Sequence, residues 1–250
     1  ATGSAAIRVG VIDTGIDLNH PDLVANIWNN PGETGLDAQG RDKRTNGVDD
    51  DGNGYRDDWR GWNFVNDTNN PRDDHAHGTH VSGTIGASGN NGVGVAGVCW
   101  RVSIVPLKFL DAFGTGTFSD GAEAIAYATA LGVHLTSNSW GGPLPMQLLQ
   151  DAIAAAGQSG ILFVAAAGNF TRNNDDPAVA LYPAAFTQPN IIAVAATDAT
   201  DALASFSNFG SNSVHLGAPG VAIYSTFPTY SVRATTERSY GTFSGTSMAC

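Results

Sequence analysis

Short apolar runs alternate along this chain with longer stretches of helical character, and that alternation restricts the fold more than any other feature. Ile7-Arg8-Val9-Gly10-Val11-Ile12 ends at Asp13, and similar runs lie at Val102–Leu107, Val133–Ser137, Ile161–Ala166 and Ile191–Val194. Each is short and nearly continuous in its apolar character, as expected of a parallel strand buried on both faces. Between them, His80–Ala87, Ser119–Ala130 and Pro145–Gly157 read as helices. The pattern predicts an α/β fold with a mainly parallel central sheet and helices on both faces. No internal repeat, low-complexity tract or linker divides the 250 residues, so one domain over residues 1–250 is expected. In such sheets reactive groups sit at the carboxyl ends of strands. Asp13 and Asn169 both occupy such ends.

Apolar residues make up 42% of the chain and charged residues 14%, which suits a large core under a sparsely charged surface. A net charge of -11 excludes functions that depend on holding nucleic-acid phosphates. Nine aspartates fall between Asp42 and Asp74. They read either as a solvated acidic loop or as a cation site. Cys99 and Cys250 are too few for a disulfide framework, and Cys99 reads as a small buried apolar residue. No apolar run reaches the ~18 residues of a membrane span. The chain shows no initiating methionine and no signal-peptide pattern at Ala1, so it is expected to lie within a longer precursor.

Three glycine-marked phrases carry the chemistry: Val11-Ile12-Asp13-Thr14-Gly15, His77-Gly78-Thr79-His80 and Gly245-Thr246-Ser247-Met248-Ala249. A serine hydroxyl is a poor nucleophile until a base removes its proton, and the base needs an orienting partner. Asp, His and Ser in this order follow the subtilisin arrangement. The phrases closely resemble those of the subtilisin family of serine endopeptidases, the subtilases, and the resemblance runs over nearly the whole chain. It implies a three-layer subtilisin-like fold with Ser247 as nucleophile, His77 as general base and Asp13 as its orienter. Ala165-Ala166-Ala167-Gly168-Asn169 resembles the segment whose asparagine donates to the oxyanion. Ser139-Trp140-Gly141-Gly142 resembles the strand that pairs with substrate main chain and walls the primary pocket, and Ala166 and Gly168 would line the other wall. Trp140 stands where many subtilisins have leucine. Neither wall carries an acid, so broad protein or peptide substrates are implied, without strong selection for basic side chains. The resemblance also implies a secreted or extracellular enzyme, made with a propeptide and acting as a monomer.

Calcium is the implied cofactor. Asp49-Asp50-Asp51-Gly52-Asn53-Gly54-Tyr55-Arg56-Asp57 places oxygen side chains at alternate positions with a glycine at the sixth, like the start of an EF-hand loop. Arg60 replaces the bidentate glutamate at the twelfth position, which excludes a full EF-hand. Some secreted bacterial subtilases carry a similar insertion, and Asp49, Asp51, Asn53, Asp57 and Asp58 are the expected ligands. The family pattern implies a second site at Asp22 and Asn91, completed by carbonyls of Gly89, Val93 and Val95.

Two motifs point elsewhere. Gly92-Val93-Gly94-Val95-Ala96-Gly97 satisfies G-x-G-x-x-G, but a helical stretch precedes it and a strand follows. That is the reverse of the dinucleotide-binding context, so it reads as a loop. His75-Ala76-His77-Gly78-Thr79-His80 approaches the H-x-H-x-D-H run of metallo-β-lactamase-like hydrolases, with Thr79 in place of the aspartate. His80 is expected to be a packed helix residue and His75 an exposed loop residue. The family pattern continues past Ala249 with a Pro-His-Val-Ala-Gly-like helix, and Cys250 stands where threonine or serine is usual. The resemblance therefore implies that C-terminal helices are missing from this chain, and that these residues alone are poorly stable and weakly active. The alternative function is a non-catalytic subtilase-like module or an inactive fragment.

Overall fold

A computed structural model describes residues 2–250. Its centre is a parallel sheet of seven strands: β1 (Gly3–Asp13), β2 (Trp62–Asn63), β3 (Arg101–Lys108), β4 (Leu135–Asn138), β5 (Leu162–Ala166), β6 (Ile191–Thr197) and β7 (Leu216–Pro219). Their order across the sheet is β2-β3-β1-β4-β5-β6-β7. Side chains on a strand alternate between faces, and here the alternation sorts residues into two separate cores. Ile12, Val105 and Leu107 point into one core with Ala124, Ile125, Leu149 and Ile153. Those partners belong to helices α2 (Phe118–Ala130) and α3 (Gln147–Gln158) once α1 (His77–Gly86) is counted first. Val9, Val11, Val102 and Ile104 point the other way, against Val81 of α1 and Met248 of α4 (Thr246–Ala249). The sheet is thus covered on both faces, which is why its strands lack a polar alternation.

Local signals account for the helix ends. Thr117 caps α2 by accepting from the Asp120 N–H at 3.1 Å, and Gly132 at φ 63° closes the turn that follows. Helix α1 begins at His77, three residues before the expected start, because the Asp73 carboxylate accepts the Thr79 N–H and Thr14 Oγ1 the Gly78 N–H of its first turn. A hairpin of β8 (Ile223–Thr226) and β9 (Tyr240–Phe243) clasps the same helix. Ser225 and Thr226 donate to the carbonyls of His80 and Thr79, and the His80 ring packs on Phe227 and Phe243.

The expected strands and helices are all present with shifted ends, and residues 92–97 form a loop. Strands β2, β7, β8 and β9 were not expected. Cys99 is partly exposed against the second core, not buried, because it lies in the loop entering β3. Among the described residues no helix is long and apolar enough to cross a membrane.

Candidate active site

The carboxyl end of β1 delivers Asp13, and the first turn of α1 delivers His77 beside it. His77 Nδ1 lies 2.7 Å from Asp13 Oδ1, which also accepts the Thr14 N–H at 2.7 Å. An ionised carboxylate only accepts, so Nδ1 carries the proton and Nε2 is left as a base. Gly78 has no alternative here: a Cβ added to it would meet the Gly15 carbonyl oxygen at 2.2 Å. Asp13 is 1% exposed and its Oδ2 has no partner among the described residues. Burial alone would depress the imidazole pKa. The Asp13 charge, its hydrogen bond and the Asp73 charge outweigh that and hold His77 above the ordinary histidine value.

Asp73 is a residue the sequence reading missed. It is fully buried and accepts from the N–H groups of His75, Ala76 and Thr79 and from the hydroxyls of Thr14 and Thr79. Thr14 Oγ1 in turn accepts the Gly78 N–H, so one network fixes both Asp13 and His77. Ala76 sits between them at φ 107°, a strained conformation held by these bonds. Lys108, itself 1% exposed, spends all three ammonium protons on Thr14 O, Leu110 O and Asp74 Oδ1, each at 2.7 Å. The available signal was an aspartate just ahead of a helix start.

Ser247 stands in the first turn of α4. Its hydroxyl donates to the Ser139 carbonyl at 3.3 Å, and Ser139 Oγ donates to the Ser247 carbonyl at 3.0 Å. Asn169 Oδ1 accepts from Thr246 N at 2.9 Å and Thr246 Oγ1 at 3.0 Å. A backbone N–H can only donate, so the atom facing it is the oxygen, and the Asn169 NH2 points away from Thr246. His77, Asn169 and Ser247 line one cavity of 230 Å³ with His75 and Met248. On the other side of His77 a cleft of 470 Å³ is lined by Phe113, Phe118, Ser139, Trp140, Gly141 and Leu149, among others. Among the described residues, 139–141 pair with no other strand along this cleft. The Trp140 ring turns toward Phe109, with centroids 4.8 Å apart. Ala166 and Gly168 line neither cavity. His75 is half-buried at the rim of both cavities, because its loop is tied down by Asp73.

The acidic loop gathers differently from expectation. Asp51 and Asp58 meet Glu33, with one oxygen of each within 4.8 Å of the others. Glu33 is fully buried, and its Oε2 has no partner among the described residues. Gly32 allows this approach, since a Cβ there would meet Asp51 Cβ at 2.4 Å. Burial, with added charge from Asp58, Asp51 and Asp50, pushes Glu33 up to about 7 against one opposing backbone hydrogen bond. Asp49 is not in the cluster: its oxygens accept the N–H groups of Gly52, Asn53 and Gly54 and cap that turn. Asp57 accepts from Gly47 N instead, and Asn53 donates to Asp58 from the side. Glu33 escaped the sequence reading because it lies outside the aspartate run. The three oxygen donors, with an orphaned buried oxygen among them, fit a hard cation such as Ca²⁺.

At the other expected site, Asp22 meets Asn91 and Val95, but both supply donors: Asn91 NH2 at 2.7 Å and Val95 N–H at 2.8 Å. A cation there requires the Asn91 amide to turn its oxygen toward Asp22. Gly89 packs on the Trp100 ring, and Val93 N–H donates to Asn91 Oδ1.

The family model described as the subtilase family, peptidase S8, matches residues 4–250. Thermitase of Thermoactinomyces vulgaris is 36% identical over 249 residues, covering 100% of this chain and 72% of that protein. Subtilisin-like protease 1 of Plasmodium falciparum is 36% identical over 258 residues, covering 97% of this chain but 35% of that protein. The crystal structure of a cold adapted subtilisin-like serine proteinase superposes with a TM-score of 0.69 at 29% identity, covering 100% of this chain and 73% of that one.

Proposed function

Since the chain belongs to the subtilase family of serine endopeptidases, we propose that it hydrolyses peptide bonds of protein substrates through an acyl-enzyme on Ser247. The carrying observation is the 2.7 Å bond from His77 Nδ1 to Asp13 Oδ1, beside a cavity that His77 shares with Ser247 and Asn169. The Ser247 hydroxyl leaves the Ser139 carbonyl, gives its proton to His77 Nε2 and attacks the scissile carbonyl. Asp13 stabilises the imidazolium that forms. The Asn169 NH2 donates to the oxyanion, a contribution worth about 2.7–4 kcal/mol at such sites. His77 then returns the proton to the leaving amine, and water repeats the sequence to release the acid. Substrate main chain adds as a strand along Ser139–Gly141.

A pH–rate profile tests the base. His77 works only when neutral, and against the opposing effect of burial Asp13 and Asp73 hold its pKa above the ordinary value. Protonation below that pKa therefore removes activity. The expected kcat/KM rises with pH through one apparent pKa above ~6.5. A flat profile from acid to neutral pH, or a midpoint well below 6.5, contradicts the assignment.

Calcium is proposed to bind at Glu33, Asp51 and Asp58, where it would neutralise three converging carboxylates and brace the loop against α2 through the Tyr127–Asp58 hydrogen bond. Saturation at 100 Kd adds about 2.7 kcal/mol of stability, or roughly 5–10 °C in Tm for a domain of this size. Glu33→Gln is expected to abolish most of that gain. A Tm indifferent to chelator and to added Ca²⁺ would refute the site. Secretion, a propeptide in the precursor and a monomeric state are proposed on the family likeness alone.

A further inference from the structure

We propose that Leu181 fills the primary specificity pocket and restricts the residue before the scissile bond to small side chains. This rests on the endopeptidase reading above and concerns which peptides it accepts. The pocket's two walls, residues 139–142 and 166–168, continue from the neighbouring parallel strands β4 and β5. Between such walls a subtilase admits the side chain whose carbonyl Ser247 attacks. Glycines at 141 and 168 leave that slit open from both sides, but one leucine methyl occupies the opening. A Cβ added to Gly141 would meet Leu181 Cδ2 at 2.9 Å and Cγ at 3.0 Å, and one added to Gly168 would meet the same Cδ2 at 2.7 Å. The two wall glycines thus face each other across Leu181 and not across open space.

The plug is held in place. Gly142 and Tyr182 exchange backbone hydrogen bonds at 2.8 and 2.9 Å, closing the base of the slit next to Leu181. The Leu181 N–H donates to Asn174 Oδ1, and Asn174 Nδ2 donates to the Ala167 carbonyl in the opposite wall. Asn208 joins Asn174 to Gly168, donating to Asn174 Oδ1 at 3.0 Å and, through its N–H, to Gly168 O at 2.8 Å. The free volume of the site lies elsewhere: Leu181 lines neither the 470 Å³ cleft nor the 230 Å³ cavity beside His77. Recognition of large apolar side chains therefore falls to the cleft walled by Phe118, Trp140 and Leu149, upstream of the attacked residue, while the attacked residue itself is small: glycine, alanine or serine.

The test compares two tetrapeptide anilides that differ only in the last residue, alanine or phenylalanine. An apolar pocket gains or loses about 10–200-fold per methylene accommodated or refused, so the unmodified protein is expected to favour the alanine substrate at least 100-fold in kcat/KM. Leu181→Gly is expected to raise kcat/KM for the phenylalanine substrate by about 100-fold, with the alanine substrate changed less than tenfold. Leu181→Ala, which keeps more of the backbone restraint, is expected to fall between them. Equal or better cleavage of the phenylalanine substrate by the unmodified protein overturns the inference, as does an unchanged ratio in both variants. Labelling of Ser247 by a small fluorophosphonate, which needs no primary pocket, separates the two levels. A labelled enzyme indifferent to the side chain overturns this inference alone, and an unlabelled one overturns the endopeptidase reading with it.

Discussion

Ser247→Ala is expected to lower kcat by about 10⁶ while leaving the fold intact, the size of loss that follows removal of a triad serine. The hydroxyl makes one hydrogen bond, to the Ser139 carbonyl at 3.3 Å, so little stability depends on it. The main-chain ties of this turn, Gly245 N to Gly220 O and Met248 N to Gly245 O, do not involve the side chain. Hydrolysis of a peptide anilide checks the rate, and a thermal melt of the same preparation checks the fold. Rate loss under tenfold would remove Ser247 from the mechanism. A lost melting transition would show a structural role instead.

Asp13→Asn carries the second largest expectation, a fall of about 10⁴ in kcat. The amide is nearly isosteric, but the Thr14 N–H and His77 Nδ1 both meet the one oxygen Oδ1, so an NH2 placed there gives up the Thr14 bond. That NH2 then faces His77 Nδ1, which must become an acceptor, and the ring proton moves to Nε2. The base is then blocked on the side where Ser247 needs it. Binding of a transition-state analogue that does not need the proton transfer should change far less than kcat. A loss confined to KM would contradict the orienting role.

Much of the fold was legible because β1, β3 and β6 are buried on both faces, so their apolar runs stand out. Asp13 was visible as the polar end of such a run. Strand β7 was not, since Leu216-Gly217-Ala218-Pro219 is an exposed edge with no apolar face to reveal it. The hairpin β8–β9 was hidden by the thirteen-residue connection from Phe227 to Ser239, too long for any turn signature. At the site, the resemblance supplied Asp13, His77, Asn169 and Ser247, which lie far apart in sequence. Glu33, Asp73 and Leu181 were not legible. Each acts through a contact that only the folded chain creates: Glu33 across a loop to Asp58, Asp73 under the first turn of α1, Leu181 between two glycines. The gathering of Asp51 and Asp58 around Glu33 was hidden for a related reason. Alternating carboxylates resemble a ligand loop whether they converge on a cation or, like Asp49, cap their own turn.

The most direct test of the account is to expose the protein to a fluorophosphonate and locate the adduct by tandem mass spectrometry of its peptides. One phosphonyl group is expected, on Ser247, formed more slowly as the pH falls below the His77 pKa and strongly slowed in Asp13→Asn. A protein that hydrolyses peptides yet carries no adduct, or carries it on another residue, would contradict it.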